Sequence, residues 1–482
     1  MSDHILESFN NSPLIRHVAS NGDYSTDLFK SNSSNYEIPY YVSHVNLETK
    51  DKTRFTESVD FPLVTYGRRC YKFDMKTIDF QIPTYGILDQ LVLQVDVDRG
   101  DHIFLGEHEI SVASRTFEWV DLLVDNLFVE RRYADELCYN AASYGNSAAR
   151  AAVQGITLGS GRNRFEIQHP VGDTTHGCHS RYQYFVPIPF SFMNDTSNRI
   201  NSHHFKRITV RIQPHMAGLM ASQVLTDEQI ALQYVQYSMR ASFRKYPFSV
   251  ERLIRENTLA RQYIGTTTYN TTAETVESVT FPYQRPLAGT YTADHKATFS
   301  LNNVRGVIKY LTFQVAFGTQ NGSSSDPYRY AMYNKDSADG IDIVRIVVYT
   351  VDEVIYDGSA QHLHCFDHKK KHPYDFSGST ASMSNFLDYS DDEGNDYALD
   401  RIYARVDFST SLDCHRFSGG LPTNTLGEIM VDLYIGTDNN LNDQISEIET
   451  FELVPGQTHC YSTCYYIGEI SEDGNVRRIF DV

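Results

Sequence analysis

The sequence predicts an all-β chain of two consecutive sandwiches joined by one short helix. Three observations predict it. Apolar residues recur at every second position in segment after segment, the period of a strand with one buried face. Tyr (33) and Phe (27) far outnumber the single Trp, and such rings favour packed, extended backbone. A length of 482 residues exceeds what one core ordinarily serves.

Taken in order, residues 1–55 are rich in Ser, Asn, Asp and Tyr, show no sustained period, and are expected to form an N-terminal arm. Residues 56–246 are expected to make the first sandwich. Ile78, Phe80 and Ile82 alternate with Asp79 and Gln81. Leu91, Leu93, Val95 and Val97 alternate again, as do Ile208, Val210 and Ile212 between Arg207, Thr209 and Arg211. Val235, Tyr237, Met239, Ala241 and Phe243 continue the pattern.

The segment "SFRKYPFSVERLIREN" then breaks it. Pro247 interrupts the strand, Ser249 can cap a helix, and Val250, Leu253 and Ile254 share one helical face opposite Glu and Arg. Residues 247–265 are therefore expected to be a linker helix packed across the junction. Residues 266–482 are expected to be the second sandwich. Its strands are marked by Leu311, Phe313, Val315 and Phe317, by Ile341 and Ile343, by Val406 and Phe408, and by Ile429, Val431, Leu433 and Ile435. Long polar insertions at 318–340 and 384–399 fit surface loops. No residue-level repeat is evident between the halves.

A net charge of -19 disfavours a phosphate-gripping surface, so no direct nucleic-acid binding is expected. The opening residues contain no apolar core of signal-peptide length, and no stretch reaches the roughly 20 apolar residues of a membrane span. Seven scattered cysteines make no disulfide framework, so folding in a reducing cytosol is expected. In that compartment the sequons at Asn32, Asn194, Asn270 and Asn321 would carry no glycan.

Catalytic patterns are sparse. "LGSGRNRF" places Arg164 where a third glycine of a phosphate-binding loop belongs. His362, His364, Cys365, His368 and His372 have zinc-type donors, but three lysines among them oppose a cation. Cys460 and Cys464 lie too far apart along a strand to bond, about 13 Å at strand rise, and are expected to be free thiols. Cys414 and His415 are adjacent and would point to opposite faces. Glu107 and Glu109 read as surface carboxylates, and the acidic run Asp388, Asp391, Asp392, Glu393, Asp396 lacks the EF-hand spacing. No catalytic, cofactor-binding or metal-binding residue, and no enzymatic activity, is expected.

Several patches, in order, carry a resemblance. They are "TIDFQIPTYGILDQLVLQVDV", "FEWVDLLVDNLFVERRYADEL", "YFVPIPFSFMNDTSNRINSHHFKRITVRI" and "VQYSMRASFRKYPFSVERLIREN", then "LNNVRGVIKYLTFQV" and "FSGGLPTNTLGEIMVDLYI". Together the chain resembles the double jelly-roll major capsid proteins of large and medium double-stranded DNA viruses. It departs from the family pattern at Tyr85-Gly86-Ile87, where Asn-Gly-Asp is usual, and at Pro422, which precedes Asn424.

The resemblance implies two eight-stranded jelly rolls and homotrimeric, pseudo-hexagonal capsomers that tile an icosahedral virion shell. It implies neighbouring capsomers and minor or penton proteins as partners, an internal membrane beneath some such shells, and assembly in the host cytoplasm. The insertions would be outer towers or trimer clasps, and the arm would tie neighbours together below. Two alternatives differ in class or architecture. A carbohydrate-binding or carbohydrate-active β-sandwich predicts an exposed aromatic platform with paired carboxylates. A single roll with long insertions predicts one core.

Overall fold

The computed structural model of the chain describes residues 41–48, 53–59, 70–73, 76–98, 117–137, 165–167, 181–191, 201–214, 234–245, 261–285, 289–319, 332–334, 342–359, 389–390, 396–399, 401–410, 417–436, 451–453, 458–470 and 476–479. These residues form two antiparallel sandwiches with separate cores.

The first is built from β1 (Tyr41–Glu48), β2 (Thr53–Val59), β3 (Cys70–Phe73), β4 (Ile78–Ile82), β5 (Ile87–Asp98), β6 (Phe117–Val124), β7 (Leu127–Tyr133), β8 (Phe165–Ile167), β9 (Arg181–Pro187), β10 (Ile208–Pro214) and β11 (Tyr234–Lys245). One sheet runs β3-β2-β11-β5-β9-β8 with β1 also on β11; the other runs β4-β10-β6-β7. From β3 to β11 the chain crosses between the sheets at six of eight connections, all but the β6–β7 and β8–β9 hairpins, which is the jelly-roll path. The hairpin turns at Asp125 and Asn126, whose φ of 49° and 66° match the two-residue turn that suits twisted strands.

The second sandwich repeats the plan. It contains β12 (Arg261–Thr272), β13 (Thr275–Arg285), β14 (Gly289–Ser300), β15 (Val307–Thr319), β16 (Met332–Asn334), β17 (Asp342–Tyr349), β18 (Val354–Ser359), β19 (Tyr389–Ser390), β20 (Asp396–Leu399), β21 (Arg401–Asp407), β22 (Leu421–Pro422), β23 (Met430–Gly436), β24 (Phe451–Leu453), β25 (His459–Ile470) and β26 (Val476–Ile479), with the helical turn α1 (Thr423–Leu426). Its sheets run β12-β25-β15-β21 and β13-β14-β23-β17-β18. The two long insertions meet in a third sheet, where β16 pairs with β20 and β20 with β19.

The alternating residues do what period two requires. Leu88, Leu91, Leu93, Val95, Val210, Ile212, Met239 and Phe243 fill the first core. Phe299, Ile308, Leu311, Phe313, Val431, Leu433, Cys460 and Cys464 fill the second. A chain of two comparable cores excludes the single-roll arrangement.

Some boundaries differ from expectation. β1 and the start of β2 fall inside 1–55 yet pair with β11, because Val45 and Leu47 pack on the first core between polar neighbours that dilute the pattern. β12 begins inside 247–265, so residues 261–265 are strand. The expected helix at 247–257 lies outside the described residues.

The two rolls also agree in atomic detail. In the first, Ser202 Oγ accepts from Tyr85 N (2.8 Å) and Gly86 N (3.0 Å) and donates to Gly86 O (2.6 Å). In the second, Thr423 Oγ1 accepts from Gly306 N (3.1 Å) and donates to Gly306 O (2.9 Å). Both hydroxyl residues also donate their backbone N–H to the same glycine carbonyl, at 2.9 and 3.0 Å. Gly86 and Gly306 have φ of 147° and 108°, and an added Cβ would lie 3.1 Å from Arg244 O and 3.3 Å from Tyr465 O respectively. Only glycine takes that backbone and that approach without strain.

Candidate functional site

Among the described residues the densest polar cluster lies between the rolls. β7 supplies Glu130 and Arg132, and the helical turn 134–137 that follows supplies Asp135 and Glu136. Across the junction stand Thr266, Thr267 and Thr268 on β12, Tyr310 on β15, and Tyr461, Thr463 and Tyr466 on β25. Glu130 and Glu136 are both 0% exposed and Arg132 only 3%.

Charges so enclosed persist when opposite charges and hydrogen bonds offset their desolvation. Arg132 donates from Nη2 to Glu130 Oε1, and also to Thr266 Oγ1 at 2.7 Å; Nη1 reaches Glu136 Oε1 at 3.4 Å. Ser191 donates its N–H (3.0 Å) and its hydroxyl (3.0 Å) to Glu130, and Tyr466 OH donates across the junction at 3.2 Å. Glu136 accepts from Thr268 Oγ1 (2.6 Å), Tyr310 OH (3.1 Å) and Thr463 Oγ1 (3.2 Å), all from the second roll. At the margin Arg131 N donates to Thr267 Oγ1 (3.1 Å) and Tyr461 OH to Asp135 (2.9 Å).

Burial pushes the Glu130 carboxyl above its usual range, opposed by Arg132 and by the Ser191 and Tyr466 donors. Burial likewise raises the Tyr466 hydroxyl. Two carboxylates sharing one guanidinium could suggest acid–base work, but no solvent reaches either. The arrangement is a clamp that fixes one roll on the other. Apolar contact continues it, since Tyr263 and Tyr466 of the second roll belong to the first core and meet edge to face at 5.9 Å. Outside the clamp, Arg131 lies 4.0 Å over the ring of the only Trp, Trp119, and is held bidentately by Asp121 at 2.6 and 2.7 Å.

Of the residues weighed in the sequence, Cys460 and Cys464 sit on one face of β25, free and buried, and burial raises both thiols far above their ordinary range. His362, His364, Cys365, His368, His372, Cys414, His415, Glu107, Glu109, Arg164, Asp388, Asp391, Asp392 and Glu393 lie outside the described residues. Asp396 opens β20. No three metal-donor side chains converge among the described residues. None of these weighed residues belongs to the clamp. Its sequence signals were the charged run Glu130-Arg131-Arg132 between apolar Val129 and Tyr133, and the Thr-rich run "GTTTY".

The arrangement has structural counterparts. PBCV-1 VP54, fitted into a reconstruction of the virophage Sputnik, superposes with a TM-score of 0.57 at 12% identity, over 94% of this chain and 99% of that one. A chain of the quasi-atomic PBCV-1 virus capsid gives 0.56 at 11% identity, over 93% and 98%. The fold is thus the double jelly roll. No protein-family profile matches the chain, and no curated protein matches it in sequence.

Proposed function

We propose that this chain is a viral major capsid protein that forms homotrimeric, pseudo-hexagonal capsomers tiling an icosahedral shell. One observation carries the reading: likeness to double-roll capsid chains runs end to end, over 94% of this chain and 99% of its counterpart. The sealed clamp supports a structural role, because it spends its charged groups on rigidity. Three such subunits present six similar lobes, which suits hexagonal tiling.

In this reading the chain works as a building block without catalysis and without grasping the genome. Its partners are copies of itself, neighbouring capsomers and minor or penton proteins, with an internal membrane below in shells that have one. It resides in the virion after cytoplasmic assembly. The paired insertions around β16, β19 and β20 serve as outer towers or trimer clasps, and the N-terminal arm ties neighbours on the inner side.

Light scattering tests the proposal. The purified chain should run as a species of three times 55.1 kDa and show hexagonal outlines by negative-stain microscopy. A monomer that binds members of a glycan panel would replace this reading with the carbohydrate-binding one.

A further inference from the structure

The clamp between the rolls has more oxygen–oxygen contacts than hydrogens to fill them. Glu136 Oε2 meets Thr268 Oγ1 at 2.6 Å, while Glu136 Oε1 meets Thr463 Oγ1 at 3.2 Å and Tyr310 OH at 3.1 Å. Thr268 Oγ1 and Thr463 Oγ1 also meet each other at 3.1 Å. Each hydroxyl has one hydrogen to donate, so around an ionised carboxylate three hydrogens serve four contacts. Two oxygens would then face each other bare, in a place sealed from water, and that opposes folding.

One more hydrogen completes the set. Seated on Glu136 Oε2, it is donated to Thr268 Oγ1. Thr268 then donates to Thr463, Thr463 donates to Glu136 Oε1, and Tyr310 donates to that same oxygen. The carboxyl and the two threonines close into a ring. The two carboxyl oxygens differ accordingly, since Oε2 has the single short contact and Oε1 also accepts from Arg132 Nη1 at 3.4 Å. Glu130 has no such shortfall. Arg132 Nη2, the Ser191 N–H and hydroxyl, and the Tyr466 hydroxyl each bring a hydrogen of their own.

Charge leads to the same place. Among the described residues Arg132 is the cation that bonds the two enclosed carboxyls. With both ionised, the enclosure is net negative; with one proton added, it is neutral and far less costly to bury. Burial acts on Glu130 in the same sense. Other charges stand one ring away, with Arg405 of β21 4.0 Å over Tyr310 and Arg478 of β26 4.9 Å over Tyr466. At the margin Asp135 accepts from Tyr461, on which His459 stacks at 5.7 Å and against which Tyr133 lies at 5.1 Å. Tyr263 packs on Tyr466.

We infer that the junction of the rolls is a proton-binding site: Glu130 and Glu136 together hold one proton at neutral pH, seated between Glu136 Oε2 and Thr268 Oγ1, and its release loosens one roll from the other. In an unfolded chain glutamates ionise above about 4.3, so unfolding at neutral pH frees this proton. The folded state binds more protons, and the site's contribution to stability is therefore complete below that value and falls as pH rises. The unfolding constant gains about tenfold per pH unit from this site until the folded clamp itself gives the proton up. Acid keeps the junction shut and alkali opens it. The site lies within one chain and does not depend on the number of copies in a capsomer.

Infrared difference spectroscopy of the full chain tests it, wild type against Glu136→Gln at neutral pH. The wild type should show the carbonyl stretch of an un-ionised carboxylic acid that the variant lacks. Glutamine keeps the ring, because its amide N–H replaces the acid O–H, so the variant should lose far less stability than Arg132→Leu. Its unfolding constant should also rise about tenfold less per pH unit than the wild type's. His459 titrates in both chains and cancels from that difference. A difference spectrum holding only carboxylate bands would overturn the inference, as would a loss of stability equal to that of Arg132→Leu. Should Glu136→Gln not fold, Thr268→Val decides, since it removes the oxygen that receives the proton. The acid band should then shift to higher frequency, and an unmoved or absent band would overturn the site.

Discussion

The two rolls share a frame and fill it differently. At matched positions of the central strand, Leu93 corresponds to Phe313 and Leu88 to Ile308; on the closing strand, Phe243 corresponds to Cys464. Where Leu93 grows to Phe313, its partners on the adjacent strands shrink, Met239 to Cys460 and Val186 to Ala404, and both interiors close. The same economy fails on the outer faces, where hydroxyl and tyrosyl groups of one roll are sealed and the equivalent groups of the other lie open. Interior filling is therefore interchangeable between the rolls, whereas outer chemistry is particular to what each face touches.

The largest test of that contrast removes Arg132. Arg132→Leu leaves Glu130 and Glu136 enclosed with no cation and should cost about 3–5 kcal/mol in denaturant unfolding. Arg211→Leu, which breaks an exposed pair with Asp79, should cost less than about 1 kcal/mol. Equal losses would deny the junction its special standing.

Core truncation comes next. Leu93→Ala and Phe313→Ala should each cost about 2–5 kcal/mol. Because Tyr263 and Tyr466 of the second roll pack in the first core, both should lower one shared melting transition. Two separate transitions, each answering to one substitution, would mean that the rolls unfold independently.

The glycine clasps sharpen the likeness itself. Ser202→Ala and Thr423→Val each strip a hydroxyl from buried backbone groups, so each should cost about 1–3 kcal/mol, by similar amounts. A large difference would show that one loop carries more strain than the other.

The smallest effect concerns two exposed pairs. The Arg211 hydrogen bond holds Asp79 below its usual carboxylate range, and the Arg345 hydrogen bond does the same for Asp357. Such a lowered carboxyl contributes stability above its unfolded value of 3.8, and loses it as pH falls through the lower folded value. Asp79→Asn and Asp357→Asn should each change stability by less than about 1 kcal/mol at neutral pH. They should flatten slightly the acid limb of the melting curve below pH 3.8.

Much of the fold was legible because a half-buried strand writes its period directly into sequence. The runs ending at Val97, Ile212, Phe243, Phe317 and Ile435 all fall in strands, and their members with described burial are core. β1 was not legible, since only Val45 and Leu47 point inward and the rest is polar. The duplication is faint in the sequence and confined to one stretch. "GILDQLVLQV" and "GVIKYLTFQV" align without a gap from the clasped glycine to a Gln-Val ending. The clamp was hidden for a physical reason. Glu130, Arg132 and Glu136 look like solvated charges until their partners arrive from Thr266, Tyr310 and Tyr466, far along the chain, and no local pattern encodes that meeting.

The distance between Glu130 and Tyr466 along the chain also sets a timetable for synthesis. A ribosome finishes the first roll's closing strand, β11, while the whole second roll is still unwritten. Until the codons for β25 have been read, the nascent polypeptide displays a bare carboxylate–guanidinium surface. Its eventual cover comes from β12, β15 and β25 of the same chain or, in a crowded polysome, from those of a sister chain, a swap that would bind two half-made subunits together.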